Sequence, residues 1–89
     1  MDPIEKLQAI VEILNDPFSK PKYSHLTDRE KEAAKLAAYG FKLREVGGLM
    51  GINVSTAGDY LSKIKKKTGL DKSDLTKTFI NMIVEVLKS

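Results

Sequence analysis

The chain has 89 residues, 42 % of them hydrophobic and 30 % charged; this is enough for one domain that buries about two-thirds of its unfolded surface, and too apolar for a disordered segment. Without a cysteine, disulfides and thiolate chemistry are excluded. The net charge is +3, and the whole excess lies in residues 41–70, where Lys42, Arg44, Lys63, Lys65, Lys66 and Lys67 stand against Glu45 and Asp59; such a patch suits a polyanion, a solvated helix face being the plain alternative.

In chain order, every predicted element is a helix. Asp2-Pro3-Ile4-Glu5 reads as an N-cap, a proline at the first helical position and a glutamate three residues past the cap. Ile4, Leu7, Ile10, Val11 and Leu14 follow on one helical face, and Pro17 ends this helix near Asn15. Residues 16–25 form a linker with two prolines, pinned by Phe18 and Tyr23. Thr27 and Glu30 make a second capping box. The helix behind it turns Ala33, Ala34, Leu36 and Ala37 inward and closes at Gly40. A short helix is expected over Leu43–Met50, then a tight turn at Gly51-Ile52-Asn53. The next helix spans Val54–Thr68, with Ala57, Tyr60, Leu61 and Ile64 inward, and Gly69 ends it. Asp71 or Ser73 caps a last helix to about Leu87. No run is long enough to cross a membrane, since even Met82–Leu87 is broken by Glu85. The N-terminus, with Asp2, Glu5 and Lys6, lacks the pattern of a secretory leader. The expected compartment is the cytoplasm.

Residues 43–64 carry a positional pattern. Two short helices that cross closely need a small residue in the first, here Gly47, and a turn residue that tolerates positive φ, here Gly51. Val46, Met50 and Ile52 supply the apolar flanks. Ala57 and Tyr60 supply a small and a larger inward residue on the second helix.

These residues, with Leu26-Thr27-Asp28-Arg29-Glu30-Lys31-Glu32 before them, resemble the helix-turn-helix domain of LuxR-type (GerE-like) regulators. The opening is similar to that family's LTxRExE signature. Leu36, Ala38 and Gly40 match its LxAxG stretch, and Glu45-Val46 its acid–aliphatic pair. Gly51-Ile52 matches its turn and Thr56 its recognition-helix threonine. Ile64, Lys67, Gly69 and Leu70 match the close of that helix. The resemblance implies an all-α fold: a four-helix unit over residues 26–70 and 71–89, preceded here by one extra helix over residues 1–15. It implies that the helix over 54–68 lies in the major groove of double-stranded DNA and that the last helix supports a homodimer. With 25 residues before the motif and no sensor evident, a stand-alone transcriptional regulator is expected.

The recognition helix departs from the family. Where the family has Val, then Lys, then a His two residues after it, this chain has Ala57, Gly58 and Tyr60. The base-contacting face falls on Gly58, Asp59 and Ser62. Glycine has no side chain with which to read a base, and Asp59 repels phosphate although it can accept from a cytosine amino group. Backbone chemistry remains: Ser55 and Thr56 in the first turn, with free amides and hydroxyls for a phosphate, then Lys63 and Lys66, and Lys42 and Arg44 before them. Lys67, as a family lysine, is a further candidate for phosphate. Gly58 would let the groove approach closely.

The remaining features carry less. His25 has no second metal ligand at suitable spacing and reads as surface or structural. Asp28, Glu30 and Glu32 suit a helix start rather than a catalytic pair. Gly47-Gly48 lacks the Gly-Lys-Ser/Thr ending of a phosphate-binding loop. No enzyme, cofactor, metal or small-molecule ligand is expected. The last helix is apolar at Phe79, Ile80, Met82, Ile83, Val84, Val86 and Leu87; either the N-terminal helix covers it within one chain, or Phe79, Met82, Ile83 and Val86 form a homodimer contact. Two further readings stand beside a DNA-binding regulator: a helix-turn-helix turned to protein binding, favoured by Gly58 and Asp59, and a sigma-like promoter-recognising domain, which would carry more cations on the recognition helix.

Overall fold

Helix starts in this chain are set by side chains that accept from the first free amides, and the computed structural model, which describes residues 1–89, shows each of them at work. Asp2 accepts from the Glu5 amide at 2.8 Å and opens α1, Pro3–Asn15. Thr27 and Glu30 exchange hydrogen bonds at 3.1 and 2.8 Å and open α2, Asp28–Ala38. At α3, Leu43–Met50, Glu45 accepts from the Lys42 amide at 2.8 Å, and the lysine side chain has no acceptor to return. Asn53 caps α4, Val54–Thr68, and Asp71 caps α5, Lys72–Lys88, with Asp74 reaching back to the Asp71 amide. The architecture is therefore all-α, five α-helices and no strand, and no helix is long and apolar enough to cross a membrane. Residues 16–25 contain one element that the prolines concealed, a 3₁₀ turn over Pro21–Tyr23.

The core is a single cluster running from Phe18 to Phe79. Its centre is the alanine face of α2, Ala33, Ala34, Ala37 and Ala38. Small side chains there let neighbours come close, and α2 lies between α5 on one side and α3 and α4 on the other. Val46 and Met50 enter from α3, Ala57 and Ile64 from α4, Leu75 and Phe79 from α5. Tyr60 and Leu61, expected inward, are half-buried at the margin. Phe18 and Tyr23 are buried and meet edge to face, centroids 5.0 Å apart, so the segment after α1 is pinned to the body.

The apolar stripe of α1 is not where the chain closes. α1 packs on α5 along the edge that carries Lys6, Ala9 and Ile13, and no α1 residue is fully buried. Ile4, Leu7, Val11 and Leu14 stay exposed. Helical spacing marks a stripe as apolar but does not say which edge of it meets a neighbour.

Candidate nucleic-acid interface

The segment 42–68 is built around one close approach. A Cβ at Gly47 would stand 3.0 Å from the Ile52 carbonyl oxygen and 3.4 Å from that of Asn53, so only glycine lets α3 and the turn meet. The Gly47 carbonyl accepts from Ile52 at 2.9 Å, and Gly51 turns the chain at φ 71°. Arg29 of α2 clamps the end of α3: its guanidinium donates to the Met50 carbonyl at 3.0 Å and to Glu32 at 2.9 Å. That role of Arg29 was not visible in the sequence, because the free carbonyl it serves lies 21 residues away.

α4 turns Ala57 and Ile64 into the core and keeps Ser55, Asp59, Ser62, Lys63 and Lys66 in solvent. Gly58 sits at one flank of this face, with Leu43 its only neighbour beyond the helix, 3.8 Å from where a Cβ would be. That contact brings the start of α3, and with it exposed Lys42 and Arg44, beside the middle of α4. The expected DNA-binding residues thus cluster around one surface. It holds only a shallow depression of about 130 Å³ at Thr56, Asp59, Tyr60 and Lys63, well under the ~300–1,000 Å³ of a small-molecule site.

Two expectations need correction. The Thr56 amide is not free for phosphate, because the Asn53 side chain accepts from it at 2.8 Å. Asn53, expected as the last residue of the turn Gly51-Ile52-Asn53, is also the N-cap of α4; the open amides of the first turn are those of Val54 and Ser55. Lys67 is also engaged inside the chain. Its ammonium lies 2.7 Å from the Glu30 carboxylate, which is 2 % exposed, and 3.4 Å from the His25 carbonyl. Burial pushes the Glu30 carboxyl up, but the Lys67 ammonium and the Thr27 amide and hydroxyl outweigh it, so the group lies below the usual carboxylate range. The His25 ring closes the same knot through Nε2, 2.9 Å from the Lys67 carbonyl. A buried acid in a capping box needs a cation, and Lys67 is the one that α4 offers.

The four residues expected at a dimer contact fare differently. Phe79 is buried, its ring 5.3 Å from that of Tyr39. Met82 and Val86 line a cleft with Ile13 of α1, and Ile83 is half-buried against the core. The N-terminal helix has taken up much of that stripe. The apolar side chains left exposed on α5 are Ile80 and Leu87.

Comparison of the chain with family models, with curated proteins and with solved structures finds no match in any of the three.

Proposed function

We propose that this protein binds double-stranded DNA through the outward face of α4, as a small transcriptional regulator of helix-turn-helix type. The observation that carries the reading is the cation placement. Lys42, Arg44, Lys63 and Lys66 are exposed and have no acid within ion-pair distance, whereas Lys67 on the same helix is tied to the buried Glu30 carboxylate; the other ion pair, Arg29–Glu32, is an exposed pair within α2. Cations held out around one helix favour a phosphate backbone. The two free amides and the Ser55 hydroxyl at the start of α4 add neutral donors to a phosphate. The resemblance of residues 26–70 to LuxR-type regulators points the same way. With Gly58 at the flank of the face and Asp59 on it, base reading is weak and backbone contact dominates.

The test is binding to random-sequence duplex across a salt series. Four phosphate contacts give a log–log slope of roughly −3.6 for each bound chain. Replacing Lys63 and Lys66 by alanine should weaken binding and reduce the slope by about 1.8, whereas Lys67→Ala should lower stability and leave the slope nearly unchanged. No binding by the wild type at low salt would sink this reading and leave a protein-binding module.

A further inference from the structure

α1 and α5 run antiparallel. The Lys6 ammonium reaches the Leu87 carbonyl at 3.4 Å at one end. At the other, the Tyr39 hydroxyl donates to the Leu14 carbonyl while its ring packs on Phe79. Along the seam between them, against the segment that follows α1, three hollows adjoin. The middle one, about 420 Å³, is the largest on the molecule, and Ile13, Met82 and Val86 form its apolar floor. It shares Lys22 and Thr78 with a second hollow of about 280 Å³, and its floor with a third of about 300 Å³. Thr78, Met82 and Val86 stand four residues apart on one face of α5, so the trough runs ~12 Å along that helix.

Its two ends differ in charge. At the Thr78 end stand Lys22 of the 3₁₀ turn, His25 of the loop before α2 and Lys67 of the last turn of α4, with no acid among the lining residues. The Lys22 ammonium lies over the Tyr23 ring, 5.1 Å from its centroid, and has no acid within ion-pair distance. Lys67 gives one N–H to Glu30 and one to the His25 carbonyl, which leaves the third. The hydroxyls of Thr68 and Thr76 donate to carbonyls, whereas that of Thr78 has no such bond. At the other end the rim carries Glu12 and Glu85, and Glu85 is ~10 Å along α5 from Thr78.

We propose that this trough binds the carboxylate of an unbranched aliphatic acid, its head among Lys22, Lys67 and the Thr78 hydroxyl and its tail over Ile13, Met82 and Val86. The volume falls within the ~300–1,000 Å³ of a small-molecule site, and an apolar floor with a few convergent polar groups is the usual make-up of one. Met82, unbranched and adaptable, suits an alkyl chain. The head is a monoanion because the charge left to match is one: Glu30 already offsets Lys67, and Lys22 remains. An alkylammonium lying the other way round fits less well, since Lys20 stands beside Glu12 and Asp16 on that rim. A duplex does not fit, because the trough is concave and none of Lys42, Arg44, Lys63 and Lys66 lines it. The site therefore goes beyond the DNA-binding reading and does not rest on it.

Titration of the full chain with sodium decanoate below its micelle concentration, followed by amide NMR shifts, tests it. The wild type should saturate at one ligand per chain, with shifts centred on Lys22, Thr78 and Met82. Acetate offers the head without the tail, and decylammonium the tail with the opposite charge; each should bind at least tenfold more weakly. Lys22→Glu should weaken decanoate at least tenfold, ~1.4 kcal/mol. Lys22 is exposed, so helical circular dichroism should be retained; if it is not, Lys22→Gln repeats the test with a milder change. The absence of saturable binding would overturn the proposal, as would acetate or decylammonium binding as tightly as decanoate, or an unchanged affinity in the folded variant. Shifts gathered on Ile4, Leu7 and Val11 would also overturn it and assign the ligand to the exposed row of α1. Flotation with phosphatidylglycerol vesicles without binding of decanoate would overturn it and assign the cations to a membrane surface. Either result leaves the α4 reading intact.

Discussion

Three glycines stand inside α3 and α4, and their surroundings give them opposite roles. At Gly47 an added Cβ meets backbone at 3.0 Å, where nothing can yield without parting α3 from the turn. Gly47→Ala should cost about 1–3 kcal/mol. At Gly48 an added Cβ meets nothing within 4 Å, and at Gly58 it meets only the end of Leu43 at 3.8 Å. Alanine at either site should add up to ~1 kcal/mol, the helix propensity that glycine forfeits. Urea denaturation of the three single variants measures all of this. The chain thus keeps, on its candidate DNA face, a glycine that its own packing does not require. If a DNA backbone needs that space, Gly58→Ala should lower affinity severalfold with no change in salt slope. Unchanged affinity would remove the close-approach role.

The Glu30–Lys67 pair makes a second prediction at the same scale. The folded carboxyl lies below its usual range, so its contribution is fully present above the unfolded value of about 4.3 and is lost as pH falls through the lower folded value. Glu30→Gln keeps an acceptor for the Thr27 amide and removes the ion pair. Its deficit should be about 1–2 kcal/mol at neutral pH and should shrink as acid protonates the wild-type carboxyl. Urea midpoints across a pH series read this directly. A deficit that stays constant down to pH 2 would show that the charge on Glu30 contributes nothing.

At the scale of elements, the helices were legible because each boundary has a local cause. Asp2, Thr27 and Asp71 accept from amides three residues on, and Gly51 and Gly69 end helices. What could not be read was every relation between elements. Lys65-Lys66-Lys67 looks uniform in sequence, but Lys67 lies on the side of α4 that faces Glu30 of α2, and Lys66 faces solvent. Arg29 serves a carbonyl at the end of α3. Ile13 packs against the core while Leu14 stays exposed. The candidate site follows the same rule. The residues around α4 were found from charge and pattern, whereas the capture of the Thr56 amide by Asn53 and of Lys67 by Glu30 depends on distances that composition does not carry.

For the whole molecule, stability is uneven. Its extents are 44 × 23 × 20 Å, and the core gathers on α2, with α1 contributing no fully buried residue. α1 is held by the edge contacts of Ala9 and Ile13, by Lys6 to Leu87, and by the Tyr39 hydroxyl to Leu14. An isolated helix of 13 residues is marginal in water, so α1 should open locally far more often than the chain unfolds. Native-state hydrogen exchange should show it: in dilute solution the amides of α1 exchange first, and those of α2 and the buried turns of α4 last. Amides of α1 that exchange no faster than those of α2 would mean that the packing on α5 holds this helix as firmly as the core holds the others.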